Sequence, residues 1–186
     1  MFSVVNSGEL QFQNAPSGEV RGVEVEGRKG LVFLSEHLRR FSGGFNYTWV
    51  EASVAIAPAE LTAIRFFDPA APATRGLAGQ SPYIVNVDLT FSEPKWGTTV
   101  SAYYNLFGRR IAQVSPPGTP SVMEEAWPSL DLILKQRFGE RWKVTLSAKN
   151  LLNRPTEETY TYLDRQYLRA SRVRGVTTSL GVTFTY

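Results

Sequence analysis

Residues able to do covalent chemistry are few in this chain and poorly grouped. His37, in the stretch SEHLRR, is the only histidine, and the sequence contains no cysteine. A nucleophile–base–acid relay therefore has a single centre to form on, and the Ser and Asp residues near it make no convincing triad. A solvated turn residue is the better reading of His37. Glu124–Glu125 and Glu157–Glu158 are adjacent carboxylates. Neighbouring side chains on a loop diverge, so these pairs read as solvated acids rather than as an acid and a base sharing one substrate. SGG at 42–44 and GLAG at 76–79 lack the strand, lysine and helix of a phosphate loop. With no thiolates there are also no disulfides and no Cys metal sites. The sequence points away from an enzyme, and no cofactor or metal is expected.

Noncovalent binding has better candidates. Tyr103, Asn105 and Phe107 lead on to Arg109 and Arg110, and TYTYLDRQYLRASRVR gathers Tyr160, Tyr162, Arg165, Tyr167, Arg169 and Arg172. Aromatic faces and guanidinium forks suit a flat or anionic ligand. The plainer alternative is a set of exposed loops that are simply polar and aromatic.

The elements that carry these residues share one pattern. Trp142, Val144, Leu146 and Ala148 alternate with Lys143, Thr145, Ser147 and Lys149. Leu130, Leu132, Leu134 and Phe138 oppose Ser129, Asp131, Lys135 and Arg137, with Ile133 as the exception. Tyr83, Val85, Val87, Leu89 and Phe91 oppose Asn86, Asp88 and Thr90. Trp96, Val100, Ala102, Tyr104 and Leu106 oppose Thr99, Ser101, Tyr103 and Asn105. Phe41, Phe45, Tyr47 and Trp49 face away from Ser42, Asn46 and Thr48, and Val23 and Val25 face away from Glu24, Glu26 and Arg28. Leu10 and Phe12 against Gln11 and Gln13 make a shorter candidate. The last run, from about Arg174 to Tyr186, sets Val176, Leu180, Val182, Phe184 and Tyr186 against Gly175, Thr177, Ser179, Gly181 and Thr183. Period-two alternation places one apolar and one polar face on each of about eight strands.

Alternation alone also fits a soluble β-sandwich, whose inner face is apolar and outer face polar. Lysines and aspartates gathered on the second face suit a wet cavity better than an oily core. Aromatics fall at strand ends: Phe91 and Trp96, Phe138 and Trp142, Phe184 and Tyr186. Connections alternate in length, with SEPK and GER tight and 51–80, 108–125 and 153–172 long. Aromatic girdles, short turns on one side and long loops on the other are features of a transmembrane β-barrel. Asn46 of the sequon NYT falls inside one of these strands rather than on a loop.

Composition agrees. Hydrophobic residues make up 42% and aromatics 12%, with a mean hydropathy of -0.19, and no run approaches the ~18–20 apolar residues of a spanning helix. The formal charge of +3 is scattered rather than clustered, which gives no support to a nucleic-acid partner. The first residues, MFSVVNSGEL, lack the regions of a signal peptide.

Several stretches resemble TonB-dependent outer-membrane receptors in that family's order. RGVEVEGR at 21–28 resembles a family strand after an Asn- and Gly-containing loop, FNYTWVEA at 45–52 the next, and SPYIVNVDLTF a proline-led return strand. SLDLILKQRFGERWKVTLSAKNLLNRP resembles the penultimate hairpin, with Asn150, Leu151, Leu152 and Asn153 matching its N-L-x-N ending. SLGVTFTY resembles the carboxyl-terminal assembly signal, with Ser179, Gly181, Phe184 and Tyr186 in the matching places. The likeness runs from about Asn14 to Tyr186 and covers the family's last third.

The resemblance implies an all-β, antiparallel transmembrane barrel. Residues 1–186 would be the carboxyl-terminal strands of a 22-stranded barrel, with Met1–Val5 the stub of an earlier strand and no plug domain or TonB box in the chain. It implies a bacterial outer-membrane location and transport of a scarce solute such as an iron–siderophore complex. The implied partners are outer-membrane lipid, the barrel-assembly machinery through the last strand, and TonB through the missing amino-terminal region. Tyr103, Asn105, Arg109, Arg110, Tyr160, Tyr162, Arg165, Tyr167 and Arg169 are the expected ligand contacts. Asp131, Lys135, Arg137, Lys143 and Lys149 are expected to pair across lumen strands. A complete eight-stranded barrel serving as anchor or narrow pore, and a soluble lipocalin-like binding protein, are the other architectures that about eight such strands allow.

Overall fold

The computed structural model describes residues 2–4, 10–12 and 14–186. Side-chain faces of the first two segments, and with them the expected alternation at Leu10–Gln13 and the stub at Met1–Val5, lie outside that description. The backbone of β1 (Phe2–Val4) pairs antiparallel with β2 (Leu10–Phe12), apart from the main sheet.

The main sheet is an antiparallel meander in chain order: β3 (Gly18–Gly30), β4 (Phe41–Ala55), β6 (Tyr83–Glu93), β7 (Thr98–Phe107), β10 (Trp127–Phe138), β11 (Trp142–Lys149) and β14 (Thr177–Phe184), with the short β5 (Thr74–Gly76) beside the end of β4. β3, β4, β6, β7 and β10 run from 10 to 15 residues, long enough for a tilted strand to cross a hydrocarbon layer. The last strand starts at Thr177 rather than near Arg174, because Gly175 turns the chain at φ +79.

Connections at one end are tight. Gly97 (φ +69) and Gly139 (φ +61) close the β6–β7 and β10–β11 turns in the left-handed region that glycine tolerates. A Cβ at Gly97 would also sit 2.9 Å from the Arg137 carbonyl oxygen. Two 3₁₀ turns, Leu31–Phe33 and Glu36–Leu38, join β3 to β4.

At the other end the long connections fold on themselves. Helix α1 (Pro58–Phe67) starts with proline in its first turn, where a missing N–H costs nothing. β8 (Arg110–Gln113), β9 (Val122–Glu124), β12 (Thr156–Tyr162) and β13 (Arg165–Arg172) form a second, four-stranded sheet in the order β13-β12-β9-β8. The segments read as plain loops from sequence thus hold a small structured layer, called the crown here.

Cross-strand register confirms the two faces. Leu134 lies beside Leu146, which lies beside Leu180; Leu130 lies beside Tyr104, then Val87 and Phe45. Among the described residues none packs over this apolar face. Val182 is 59% exposed, Leu146 46% and Val87 45%, whereas the buried apolar side chains, Val54, Ile56, Ala71, Val114 and Val122, all belong to the crown or its junction with β4. A continuous apolar sheet face of this extent is not left to water in a soluble monomer. Aromatic pairs edge it at the short-turn end, Phe41–Phe91 at 5.1 Å and Trp142–Phe184 at 4.8 Å, as rings do at headgroup depth.

The opposite face is bonded side chain to side chain. Thr90 and Ser101 share a 2.9 Å hydroxyl contact and Ser147 and Ser179 a 2.6 Å one. Ile133 sits in the same row between Ser101 and Ser147, one greasy member of a polar line. Arg28 reaches across β4 to Asp88 at 2.6 Å, and the pair passes over Gly44, where a Cβ would collide with the carboxylate.

The pairing expected among the β10–β11 charges does not form. Register places Arg137 opposite Lys143 and Lys135 between Thr99 and Thr145, so cations face cations or hydroxyls. Asp131 instead accepts the Asn150 backbone N–H at 2.9 Å. Among the described residues these four cations make no ion pair.

The two faces make opposite demands on a substitution. In the barrel refolded into lipid vesicles, Leu146→Arg is expected to lower the unfolding free energy by about 2–4 kcal/mol, while Ser147→Arg, on the other face, costs less than about 1 kcal/mol. Urea titration followed by tryptophan fluorescence measures both.

Candidate ligand-binding crown and polar wall

The expected ligand residues fall into three places. Tyr103 and Asn105 lie on the polar face of β7. Asn105 donates its side-chain amide to Asn86, Asn86 to Asn46 at 3.3 Å, and Asn46 to the Glu24 carboxylate. The register that places these residues side by side makes a one-directional amide ladder over four strands. Tyr103 occupies the next row, between Asp88 and Asp131.

Arg109, Arg110, Tyr160, Tyr167 and Arg169 meet in the crown. Arg110 donates Nε and Nη2 to Glu124 at 3.0 and 2.9 Å and Nη1 to the Gly79 carbonyl at 3.3 Å. Arg109 Nε donates to Glu125 at 2.9 Å. Glu158 accepts from Arg169 at 3.1 Å and from Arg172 at 3.0 Å. Tyr160 and Tyr167 stack at 5.4 Å with an 18° interplanar angle. Tyr162 and Arg165 sit opposite each other at the β12–β13 hairpin tip, away from this group.

Of the acidic pairs read as solvated from sequence, Glu124, Glu125 and Glu158 are thus structural. Glu124 and Glu125 do diverge, but each onto its own arginine, and Glu125 also accepts from Thr159 and from Gln166 at 2.7 Å. Sequence reasoning missed Gln113, Ser115, Pro116, Thr119, Pro120 and Val122, which with Tyr160 and Arg169 line an open cleft of about 450 Å³. The available signal was the proline pair around Gly118 in SPPGTP. Gly118 has φ +81, and the Phe67 ring of α1 packs where its side chain would stand. A second cleft of about 410 Å³ lies where the crown meets the wall, with Trp49, Leu77, Arg109, Arg110, Ile111 and Met123 around it.

His37 is exposed in its 3₁₀ turn, with its backbone N–H bonded to Ser35 Oγ at 3.3 Å. Nothing around it makes a relay. Among the described residues no group of His, Asp and Glu is arranged to hold a metal, and no helix is long and apolar enough to cross a membrane.

A polar-lined, lipid-matched antiparallel wall with a structured layer of long loops is a barrel receptor's geometry, and one comparison decides the matter. The family model for the TonB-dependent receptor-like β-barrel matches residues 2–151. The chain belongs to this family. No curated protein and no solved structure gives a match.

The matched span of the receptor barrel ends at Leu151, so β14 is tied to it by pairing. Ser179 bonds Ser147, Gly181 lies opposite Thr145, and Phe184 packs on Trp142. Tyr186 extends past the strand, fully exposed. Asn150 joins the two parts: at φ +58 it takes the left-handed conformation that asparagine tolerates. Its side-chain amide donates to the Gly175 carbonyl at 2.7 Å while its backbone N–H caps Asp131.

Glu158 clamps β12 to β13 in the receptor crown through two arginines whose side chains are 44% and 69% exposed, so each pair is worth only ~0.2–1 kcal/mol. Glu158→Ala should speed amide hydrogen exchange in β12 and β13 and leave β10 and β11 unchanged. Exchange followed by mass spectrometry checks this.

Proposed function

We propose that the chain forms part of the wall and the extracellular crown of an outer-membrane receptor that takes up a scarce solute with energy delivered through TonB. The observation that carries this reading is the unpacked apolar face of the main sheet beside a continuously hydrogen-bonded polar face. A wall between hydrocarbon and a wet lumen needs both. The crown then lies outside the cell, over the long-loop end, and the β6–β7 and β10–β11 turns face the periplasm.

In this reading solute is captured by the crown cleft and the upper polar wall, where Tyr103, Asn105, Tyr160, Tyr167 and Arg169 stand. TonB acts through an amino-terminal region outside this chain. β14 presents Ser179, Gly181, Phe184 and Tyr186 to the assembly machinery as an edge strand, whose unpaired backbone is a template for strand addition. The expectation of an iron–siderophore solute came from the family resemblance, with guanidinium forks and aromatic faces as groups that suit an anionic or flat ligand. Arg110 is spent on Glu124 and the Gly79 carbonyl, whereas Arg109 gives only Nε and Arg169 only Nη1 to a carboxylate and both keep N–H groups for a ligand.

The seven described wall strands do not close on themselves. β3 and β14 both run toward the short-turn end, so joining them directly would make a parallel pair. The described sheet closes antiparallel only with an odd number of further strands between those edges, since outer-membrane barrels pair antiparallel throughout. A soluble binding protein would leave Val87, Leu146 and Val182 in water.

The test is made in cells carrying the complete receptor. It is expected to fractionate with the outer membrane, to need detergent for extraction, and to support growth on its solute only when TonB is present. Recovery in the soluble fraction, or uptake that persists without TonB, contradicts the proposal.

A further inference from the structure

We propose that the connector between β3 and β4 is a lipid-binding element at the short-turn end of the wall: Val32, Phe33 and Leu34 enter the leaflet, and Lys29 and Arg39 hold the phosphates of anionic phospholipid headgroups. This rests on reading the apolar face of the main sheet as lipid-facing. The β6–β7 and β10–β11 turns at that end are tight and closed by glycine. The β3–β4 connector is different, running from residue 31 to 40 and opening with LVFL. Val32 is 47% exposed, Phe33 58% and Leu34 64%. A run of apolar side chains turned outward beside charged ones marks a surface that meets another phase or partner.

Register says which phase. Lys29 lies opposite Gly43, and Gly43 opposite Leu89, a member of the apolar face. A Cβ at Gly43 would sit 3.7 Å from Leu31 Cδ2, so the connector folds back over that face and not over the polar one. Lys29 Nζ then stands 4.6 Å from the centre of the Phe33 ring, and the Phe41–Phe91 pair continues the same edge. The exposed run is thus an extension of the lipid-facing surface. Its backbone suits a place poor in water. Leu34 N–H donates to the Leu31 carbonyl at 3.0 Å, Leu38 to Ser35 at 2.9 Å and Arg39 to Glu36 at 3.2 Å, and each bond made inside the turns is one that lipid need not replace.

Charge completes the fit. Lys29 and Arg39 bracket the run and make no ion pair among the described residues; Glu36 is the one acid between them. Arg40 instead binds the buried Glu93 at 2.6 Å, which fixes the return into β4. Glu36, His37, Arg39 and Arg40 line an open hollow of about 580 Å³. A lysine whose stem lies along apolar surface while its ammonium reaches the water layer is placed for a headgroup, and an unpaired guanidinium takes a phosphate through two parallel N–H groups.

The complete receptor carrying Phe33→Cys, or Glu140→Cys in the β10–β11 turn, is labelled with bimane and reconstituted in vesicles of phosphatidylethanolamine and phosphatidylglycerol in equal parts, with bromine on the acyl chains of one lipid or the other. The label at 33 is expected to be quenched by brominated lipid and shielded from aqueous iodide, and the label at 140 to be open to iodide. Quenching at 33 by brominated phosphatidylglycerol is expected to exceed that by brominated phosphatidylethanolamine about twofold, and the excess to vanish when Lys29→Gln and Arg39→Gln are combined. Heat-modifiable migration on gels is the folding control, and Leu34→Cys replaces Phe33→Cys if the latter does not fold. Iodide access at 33 without lipid quenching overturns the inference, as does shielding from both reagents, which means that a protein covers the connector. Equal quenching by the two lipids overturns the anionic headgroup site. A label introduced with Leu146→Cys reports in the same vesicles whether the wall itself faces lipid, so failure of the connector and failure of the wall are told apart.

Discussion

Everything in this molecule follows from a sheet face that its own chain does not cover. Seven strands lie side by side with Leu, Val, Phe, Tyr and Trp on one surface, and among the described residues no helix or second sheet packs on it. Apolar area in water costs about 25 cal/mol per Å², so a face of this breadth has to be met by another apolar phase. Hydrocarbon supplies that phase but offers no hydrogen bonds, so the backbone must be satisfied strand to strand, and a spanning sheet must close on itself. The parallel sense of the β3 and β14 edges then requires further strands.

Wall and crown are stabilised by different physics. The wall has no dry core; its polar face is held by rows of cross-strand hydroxyl and amide contacts and by the Arg28–Asp88 bridge over Gly44. The crown has the only buried apolar cluster among the described residues, ringed by arginine–glutamate pairs. Such pairs contribute little individually at the surface, and here they tie β8 to β9 and β12 to β13.

The wall was legible in sequence because period-two alternation survives reading one residue at a time. Faces, short turns and aromatic ends were all carried by local spacing, and register merely aligned them. The crown was not legible, for physical reasons. In β12, TEETYTY, the residues that face inward are threonines, Thr156 and Thr159, separated by a bulge after Glu158, so no apolar period marks the strand. Its hairpin turns at Leu163 and Asp164 with positive φ, without the usual glycine. Helix α1 buries no residue fully and turns only Glu60, Leu61 and Ile64 half inward, too short a stripe to stand out. Charge partners were hidden too: which glutamate meets which arginine depends on contacts between distant loops, and whether Asp131 meets a lysine or a backbone N–H depends on Asn150. The expected ligand residues were partly gathered, with Tyr160, Tyr167 and Arg169 together but Tyr162 and Arg165 at the hairpin tip.

The most direct measurement is site-directed spin labelling along β11 and β14 of the complete receptor in lipid vesicles, scoring accessibility to oxygen against a water-soluble nickel reagent. Labels at 144, 146, 180 and 182 should be oxygen-accessible and shielded from nickel, while labels at 143, 145, 179 and 183 should show the reverse, giving a period of two along each strand. If positions 146 and 182 instead prove inaccessible to both reagents, the apolar face is buried in a protein interior and the account of a lipid-facing wall is wrong.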